Sequence, residues 1–185
     1  NALSYARSHD PITGLLSRDE FERCLKASDL RTVDSTCPAW VASIDIDQFK
    51  IVNDTAGHGA GDVLLKQIGM AFRQCLSVTD QLARVGGDDF AVLLQPRSRV
   101  EAERVIECML QAVRDLRFDW QGARYAVTVS VGVTPFLPGS EPAGRALSMA
   151  ERARFLAKDQ GRDRVRFTSD DPELAARGAE MAMVA

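Results

Sequence analysis

Apolar residues recur along the chain with two spacings that alternate from segment to segment. Helical spacing predicts four helices: one that starts after Ser17, one that Asp62 opens, and two more near residues 102–116 and 143–158. Strand-like patterns mark Ala39–Ile46, a hairpin within residues 82–94, then residues 125–134 and 164–167. This order predicts an α+β domain with a mixed, largely antiparallel sheet flanked by helices.

The predicted strand at Ala39–Ile46 is apolar on both of its alternating faces until Asp45. That pattern is typical of a central strand covered on both sides. Asp45 and Asp47 close this predicted strand, and we expect only one of them to face the same side as the tip of the hairpin. Because binding sites gather at strand ends, this end of the strand is a candidate site.

The predicted hairpin bends at Gly86 and Gly87 and presents two adjacent carboxylates, Asp88 and Asp89. Glycines at a tip allow the backbone and a ligand to approach closely. Together with Asp45, the two acids would form an oxygen-rich site suited to Mg²⁺. Acids are also common in turns, so spacing alone leaves a purely structural role equally open.

Two further groups of polar residues are ambiguous by themselves. Lys158 and Arg162 lie at and beyond the end of a predicted helix, where cations also suit the helix dipole. Asn53 and Asp62 flank a glycine-rich loop and could pair with the edge of guanine, but a turn residue and a helix-start acid are the simpler interpretation. His58 lies in the same loop, where a histidine is more often not a ligand.

Length and charge narrow the class of protein. The chain has 185 residues, 45% of them apolar, and a net charge of −3. These values predict one domain and give no basic surface for a nucleic-acid polymer or a membrane, so a small-molecule partner is expected. Four cysteines without C-x-x-C spacing are interpreted as reduced thiols of a cytoplasmic domain, although the parent protein could be anchored in a membrane.

Five separated motifs occur in one order along the chain. They are D-P-I-T-G-L at 10–15, D-I-D-Q-F-K-I-V-N-D-T-A-G-H at 45–58 followed by Gly61-Asp62, G-G-D-D-F at 86–90, S-V-G-V-T at 130–134, and A-K-D-Q-G-R-D-R-V at 157–165. Together they resemble the GGDEF family of diguanylate cyclases over nearly the whole of residues 10–167. Five motifs in order are far more specific than any one of them.

The resemblance implies an activity and a fold. The activity is condensation of two GTP molecules into cyclic di-GMP and two pyrophosphates, a reaction of bacterial signalling, in a fold related to nucleotidyl cyclases and polymerase palms. Mg²⁺, or Mn²⁺, would be held by Asp45, the Ile46 carbonyl and Asp88, with support from Asp89. Asp88 would also help to take the proton from a ribose 3′-OH.

The same resemblance implies a set of residues that bind the nucleotide. They are Asn53, Asp62 and His58 for guanine and ribose, and Lys158, Arg162, Phe49 and Lys50 for the phosphates, the last two through backbone N–H groups of the 47–50 turn. One domain binds one GTP, so chemistry requires a second GGDEF protomer in a transient homodimer.

The flanks resemble the joins of proteins in which a PAS domain precedes and an EAL phosphodiesterase domain follows. We therefore expect the end of an upstream linker helix at residues 1–9, a GGDEF domain at 10–168 and a linker toward a C-terminal domain at 169–185. In such tandem proteins the domain can be a cyclase, or it can bind GTP and regulate the fused EAL phosphodiesterase.

Two departures from the family pattern bear on activity. Asp89 stands where Glu is usual; it is one methylene shorter, and a ligand oxygen misplaced by roughly an ångström can cost ~10²-fold in rate. This leaves both the cyclase and the regulatory GTP-binding role open. The allosteric product site is predicted to be absent, because Ser77 stands where Arg is usual although Asp80 is retained.

Overall fold

The computed structural model describes residues 7–29, 37–137 and 142–175. The helices are α1 (Arg18–Asp29), α2 (Phe49–Ala56), α3 (His58–Cys75), α4 (Arg99–Arg114) and α5 (Ala143–Asp159). The strands are β1 (Ala39–Ile46), β2 (Gln81–Arg84), β3 (Asp89–Leu94), β4 (Phe118–Trp120), β5 (Ala123–Tyr125), β6 (Val129–Phe136) and β7 (Arg164–Phe167). A short 3₁₀ helix, Thr168–Asp170, follows the last strand.

Five strands form the central sheet in the order β2-β3-β1-β6-β7. The β2/β3, β3/β1 and β1/β6 pairs are antiparallel, and β6 and β7 are parallel. The predicted α+β fold with a mixed, largely antiparallel sheet is therefore confirmed. Strands β4 and β5 form a separate two-stranded sheet.

The central position of β1 explains its continuous apolar sequence. All eight of its residues are buried. Trp40 and Ile44 belong to a core shared with α3 and α4, whereas Ala39 and Val41 face a second core built with α1 and α5. Each large apolar side chain buried in this way contributes about 1.5–3 kcal/mol, so the strand is strongly fixed between two layers of helices.

Helix α5 lies directly on β6 because Gly132 has no side chain. A Cβ at Gly132 would lie 2.0 Å from the carbonyl oxygen of Ala150 and 2.2 Å from the amide nitrogen of Arg154. Any larger residue would force the helix away from the sheet. This contact fixes the distance of the later turns of α5, which carry Arg154 and Lys158, from the end of β1.

Two predicted boundaries were wrong, and one helix was missed. Helix α3 begins at His58, not Asp62, because Gly57 with φ 85° breaks the chain and the glycines after it continue into the helix. Helix α2 was missed between the β1 turn and Gly57. Residues 125–134 are not one strand: the β4/β5 hairpin ends at Tyr125, and β6 begins at Val129.

The interpretation of all four cysteines as reduced thiols was also wrong. Cys75 and Cys108 form a disulfide between α3 and α4, with 6.0 Å between their Cα atoms, whereas Cys24 and Cys37 are not in a disulfide. The two partners are 33 residues apart, so their spacing gave no signal. Among the described residues, no helix is both long enough and apolar enough to cross a membrane.

The expected flanking segments are only partly described. Residues 1–6 and 176–185 lie outside the described residues, so most of the expected upstream helix and of the C-terminal linker cannot be compared with the structure. Residues 172–175, within the expected linker, are helical.

Candidate active site

The site is built on the end of β1 and the tip of the β2/β3 hairpin. In the antiparallel register, Asp45 stands directly opposite Asp89 on β3. The Ile46 N–H donates to the Asp88 carbonyl at 3.3 Å, which continues the pairing to the tip. Carboxylate oxygens of Asp45, Asp88 and Asp89 all lie within 4.8 Å of one another. The structure thus brings together the acids that the sequence predicted would meet.

Glycine at the hairpin tip leaves space for one of these acids. A Cβ at Gly86 would lie 3.3 Å from Asp89 Oδ2, closer than most Cβ atoms approach a neighbour. Gly87 has nothing within 4 Å of a Cβ position, so the backbone there is open to a ligand. The diglycine therefore gives the Asp89 carboxylate room and leaves access beside Asp88.

Two cations of α5 face the acid cluster. Arg154 and Lys158 are one helical turn apart and therefore project from the same face. Lys158 Nζ forms an ion pair with Asp45 Oδ1, and Arg154 Nη1 forms one with Asp89 Oδ1. Arg154 Nη1 also lies 3.7 Å from Asp45 Oδ2. Three carboxylates are thus opposed by two cations.

Burial and the closeness of the acids raise the pKa of Asp45 and Asp88. Burial raises the pKa of Asp45 to about 6. The hydrogen bond with Asp89 and the charge of Asp88 also raise this pKa, whereas Lys158 lowers it. Burial also raises the pKa of Asp88, as does the charge of Asp89. Burial and mutual repulsion disfavour the ionised form of these carboxylates, so a divalent cation bound among them would stabilise that form.

The hairpin tip is held by Arg84. Its Nε and Nη2 donate to the Gly87 carbonyl at 2.9 and 2.7 Å, and its Nη1 pairs with Asp10 Oδ1 at 2.9 Å. The Asp10 carboxylate also accepts hydrogen bonds from Thr13 N and Oγ1, both at 2.7 Å. The D-P-I-T-G-L turn is therefore connected through one guanidinium to the residue before Asp88.

The predicted guanine-binding residues meet where α2 adjoins α3. The Asn53 side chain lies against Gly61, where a Cβ would be 2.0 Å from Asn53 Oδ1. This oxygen is buried and has no hydrogen-bond partner among the described residues, although such groups are usually paired. Asp62 is the next residue and is half-buried, and His58 is exposed at the start of α3.

The predicted phosphate-binding turn begins after β1. Gln48 has φ 57°, and α2 starts at the next residue, Phe49. The Phe49 side chain is buried in the core, so only its backbone is available to a ligand. Lys50 is exposed.

Asp47 does not face the acid cluster. Its carboxylate accepts hydrogen bonds from Thr128 Oγ1 and Ser130 Oγ, each at 2.7 Å, and from the Asp163 N–H at 3.1 Å. Arg162 and Asp163 both have left-handed backbones, with φ of 62° and 47°. Asp47 thus holds the turn that carries the exposed Arg162 against the adjacent ends of β1 and β6. The structure places Asp45 at the hairpin. Asp47 follows Ile46, the last residue of β1, and its side chain turns elsewhere, whereas two residues spaced by two within the strand would share one face.

Asp163 follows Arg162 in the turn after α5 and adds a negative charge there. Its carboxylate accepts from Arg114 Nε at 2.9 Å, and its carbonyl accepts from Arg114 Nη2 at 3.1 Å. The charge of Asp163 is therefore balanced by a residue of α4.

Asp80, which the sequence resemblance places at the family's product site, has no exposed side-chain surface. Its Oδ1 accepts from the Gln95 N–H at 2.9 Å and pairs with Arg97, and its Oδ2 accepts from the Ser77 N–H at 3.0 Å. All of these bonds fix the loop before β2 and the end of β3. The Asp80 carboxylate thus has a structural role.

Arg154 was missed by the sequence analysis. It is 6% exposed, and an arginine so deeply buried requires acidic partners. Its position four residues before Lys158 was the available signal, because residues with that spacing share a helix face. Its partner, Asp89, is 65 residues away in the chain, so the contact itself could not be read from the sequence.

Comparison with known proteins identifies the family. The family model described as "Diguanylate cyclase, GGDEF domain" matches residues 7–164. The chain belongs to the GGDEF family. The acid cluster described above includes Asp88 and Asp89 of the motif that gives this family its name, here in the form G-G-D-D-F.

Similar proteins include named cyclases. The GGDEF domain is 41% identical over 182 residues to the probable diguanylate cyclase DgcE of Escherichia coli K12, an alignment covering 97% of this chain and 16% of DgcE. It is 35% identical over 156 residues to the diguanylate cyclase DgcP of Pseudomonas aeruginosa, covering 84% of this chain and 23% of DgcP. The chain thus spans a small part of these relatives.

A solved structure supports the same fold. The diguanylate cyclase SiaD of Pseudomonas aeruginosa, crystallised with its activator SiaC, superposes with a TM-score of 0.82 at 35% identity, covering 90% of this chain and 64% of SiaD. Fold and family therefore agree with the resemblance seen in the sequence motifs.

Proposed function

We propose that this GGDEF domain is a diguanylate cyclase, which condenses two GTP molecules into cyclic di-GMP and two pyrophosphates. The observation that carries the proposal is the cluster of Asp45, Asp88 and Asp89, whose carboxylate oxygens lie within 4.8 Å of one another beside two cations. In a GGDEF domain, such a cluster has the charge and position required to bind a metal and a triphosphate.

The donor set fits Mg²⁺ or Mn²⁺. Carboxylate and carbonyl oxygens are the ligands that these hard cations prefer, and the raised pKa of Asp45 reflects its burial first and its contacts with Asp89 and Asp88 second. Asp45, the Ile46 carbonyl and Asp88 would hold the metal, with Asp89 in support. When bound, the metal would neutralise the triphosphate and stabilise charge that develops at the α-phosphorus.

Asp88 is proposed to act as general base. The ribose 3′-oxygen of one GTP forms a bond to the α-phosphorus of the other, the bond to the β-phosphate breaks, and pyrophosphate leaves. The 3′-OH proton passes to the Asp88 carboxylate. Without a bound metal, burial raises the pKa of Asp88, so its carboxylate accepts a proton more readily than an exposed aspartate does.

The remaining residues are proposed to select and orient GTP. Asn53, with its unpartnered Oδ1, and Asp62 would pair with the edge of guanine, and His58 would lie near the ribose or base. An adenine would present the wrong donors to the Asp62 carboxylate, a costly mismatch in a desolvated site. Lys158 and Arg162 would bind the β- and γ-phosphates, together with backbone N–H groups at Phe49 and Lys50.

Each domain is proposed to bind one GTP, so two domains must face each other for the reaction to occur. The partner is therefore a second copy of this domain in a transient homodimer. A monomer would bind GTP without turning it over. An upstream domain could then control the activity by setting the concentration of productive pairs.

Cyclic di-GMP formation is the direct test. The chain is incubated with GTP and Mg²⁺ over a wide range of protein concentrations, and product is quantified by chromatography. We expect the rate per protein molecule to rise with protein concentration, and ATP to give no product. GTP binding without product at any concentration would contradict the cyclase assignment.

A second function is a regulatory GTP-binding domain that controls a fused EAL phosphodiesterase. The observation that favours it is at Asp89, which is shorter than the usual Glu and whose carboxylate is already paired with Arg154. The same assay separates the two functions, since a regulator would bind GTP tightly without product. For either function we propose domain limits of 10–168, preceded by a linker helix from a PAS domain and followed by a linker at 169–185.

We also propose that the domain lacks product inhibition through the site before the G-G motif. Ser77 cannot supply the guanidinium, and Asp80 is engaged by Ser77, Gln95 and Arg97. Added cyclic di-GMP is therefore expected to leave the initial rate unchanged at concentrations well above those formed in the assay. Inhibition that disappears in an Asp80→Asn variant that remains folded would contradict this prediction.

A further inference from the structure

We propose that Arg154 is a counterion of the acid cluster that competes with the divalent metal for Asp89 and moves to the nucleotide phosphates when metal and GTP bind together. The inference rests on the proposed function for the metal and for GTP. On this inference, the Arg154 side chain weakens binding of the metal alone and strengthens binding of the metal together with GTP.

The contacts of Arg154 place its charge inside the proposed metal site. Its Nη1 pairs with Asp89 and lies 3.7 Å from Asp45 Oδ2. These are two of the three acids that would surround the metal. A cation bound to Asp89 and a metal bound to Asp89 would use the same oxygens and repel each other. Metal alone must therefore displace the guanidinium.

The guanidinium is incompletely satisfied in its present position. Arg154 is 6% exposed, and its Nε is buried without a hydrogen-bond partner among the described residues. Buried N–H groups of this kind are normally paired, and an arginine fork binds phosphate oxygens through two N–H groups at once. A phosphate beside the cluster would supply the acceptor that Nε lacks.

The backbone of Arg154 is fixed, so the change is confined to the side chain. Gly132 brings β6 into contact with α5 at Ala150 and at the Arg154 amide, which prevents the helix from sliding. Lys158, one turn later on the same face, already reaches Asp45. Both side chains can therefore turn between carboxylates and phosphates while the helix stays in place.

The test measures metal binding with and without nucleotide. Binding of Mn²⁺ to the chain is followed by the electron paramagnetic resonance signal of free Mn²⁺, first alone and then with a non-hydrolysable GTP analogue. Arg154→Met is compared with wild type and with Arg152→Met, which removes the same charge from the exposed face of α5. Thermal unfolding confirms that each variant is folded, and Arg154→Gln is measured if Arg154→Met is not.

Opposite changes are expected. Without nucleotide, Arg154→Met should bind Mn²⁺ about tenfold more tightly than wild type, and with the analogue it should bind the metal–nucleotide pair about tenfold more weakly. Arg152→Met should match wild type in both. Weaker binding in both experiments would mean that Arg154 only supports the fold, and equal or tighter binding in both would also overturn the inference.

The outcomes separate this inference from the proposed function. Wild type that binds Mn²⁺ and the analogue, with opposite changes in Arg154→Met, supports the inference even if no cyclic di-GMP forms. Wild type that binds neither ligand overturns the inference and the proposed function together. Wild type that forms product while Arg154→Met binds both ligands unchanged overturns the inference alone.

Discussion

Replacing Asp45 by asparagine is expected to reduce cyclic di-GMP formation by at least about 10³-fold, because metal catalysis supplies several kcal/mol to the barrier and each 1.36 kcal/mol is tenfold in rate. Asp45 ends the central strand, stands opposite Asp89 and contacts Lys158, so its charge is central to the cluster. An asparagine keeps the shape and one oxygen but loses the negative charge that would hold the metal.

The same substitution is expected to leave stability at pH 8 equal to or above that of wild type. The pKa of Asp45 is about 6 in the folded protein, above the ordinary value of 3.8, so the folded state binds the proton more tightly than the unfolded chain. Ionisation of Asp45 therefore destabilises the fold progressively as pH rises from about 4 to about 6. An amide carries no charge and avoids this cost, while Lys158 is sufficiently exposed to be solvated.

Product formation and thermal unfolding are measured on the same samples of wild type, Asp45→Asn and Asp115→Asn. Asp115 is an exposed aspartate at the end of α4, so its substitution changes net charge equally without touching the cluster. We expect normal turnover in this control. Turnover above a tenth of the wild-type rate in Asp45→Asn would show that Asp45 does not hold an essential metal.

Local patterns were sufficient to predict most of the fold. The apolar run that ends in Asp45 predicted a doubly covered strand, since only a central strand buries both of its faces. The diglycine between two apolar runs predicted the hairpin and placed Asp88 at its tip. Helix α2 was missed because its eight residues are too few to give a clear helical period next to the glycines that follow.

The acid cluster was predictable but its surroundings were not. Asp45, Asp88 and Asp89 lie at the ends of adjacent strands, which the apolar runs and the diglycine marked in the sequence, whereas the orientation of Asp47 depends on the turn after β1. The partners of Arg154 depend on the height of α5 above the sheet, which is set by the contact at Gly132. The disulfide of Cys75 depends in the same way on how α3 packs against α4. Contacts of this kind have no signature in the spacing of residues along the chain.

The second large effect is expected at Asp47, which follows β1 and faces away from the cluster. Asp47→Ala should lower the free energy of unfolding by about 3 kcal/mol, since hydrogen bonds to charged groups contribute about 1.5–3 kcal/mol each. Removing the carboxylate also leaves its buried or partly buried donors without an acceptor. Two of the donors are the hydroxyls of Thr128 and Ser130, and the third is the Asp163 N–H. Asp47→Asn should lower the free energy of unfolding by less than Asp47→Ala does, because the amide keeps one acceptor oxygen.

Thermal unfolding measures this effect, with an expected fall in Tm of about 6–12 °C for Asp47→Ala. Asp119→Ala is the control: its carboxylate pairs with Arg124 on the exposed β4/β5 hairpin, and solvent-exposed pairs of this kind contribute little to stability. Equal losses in the two variants would contradict the role assigned to Asp47.

The loss at Asp47 should also weaken GTP binding, which a purely global loss of stability would not do below the unfolding transition. Arg162 and Asp163 hold left-handed backbones that cost roughly 1–2 kcal/mol per residue, and the hydrogen bond from the Asp163 N–H to Asp47 opposes that cost. Without it, the turn relaxes and Arg162 leaves its place beside the proposed phosphates. Titration of a GTP analogue into folded Asp47→Ala should therefore give a higher Kd, and an unchanged Kd would mean that Arg162 is positioned by other contacts.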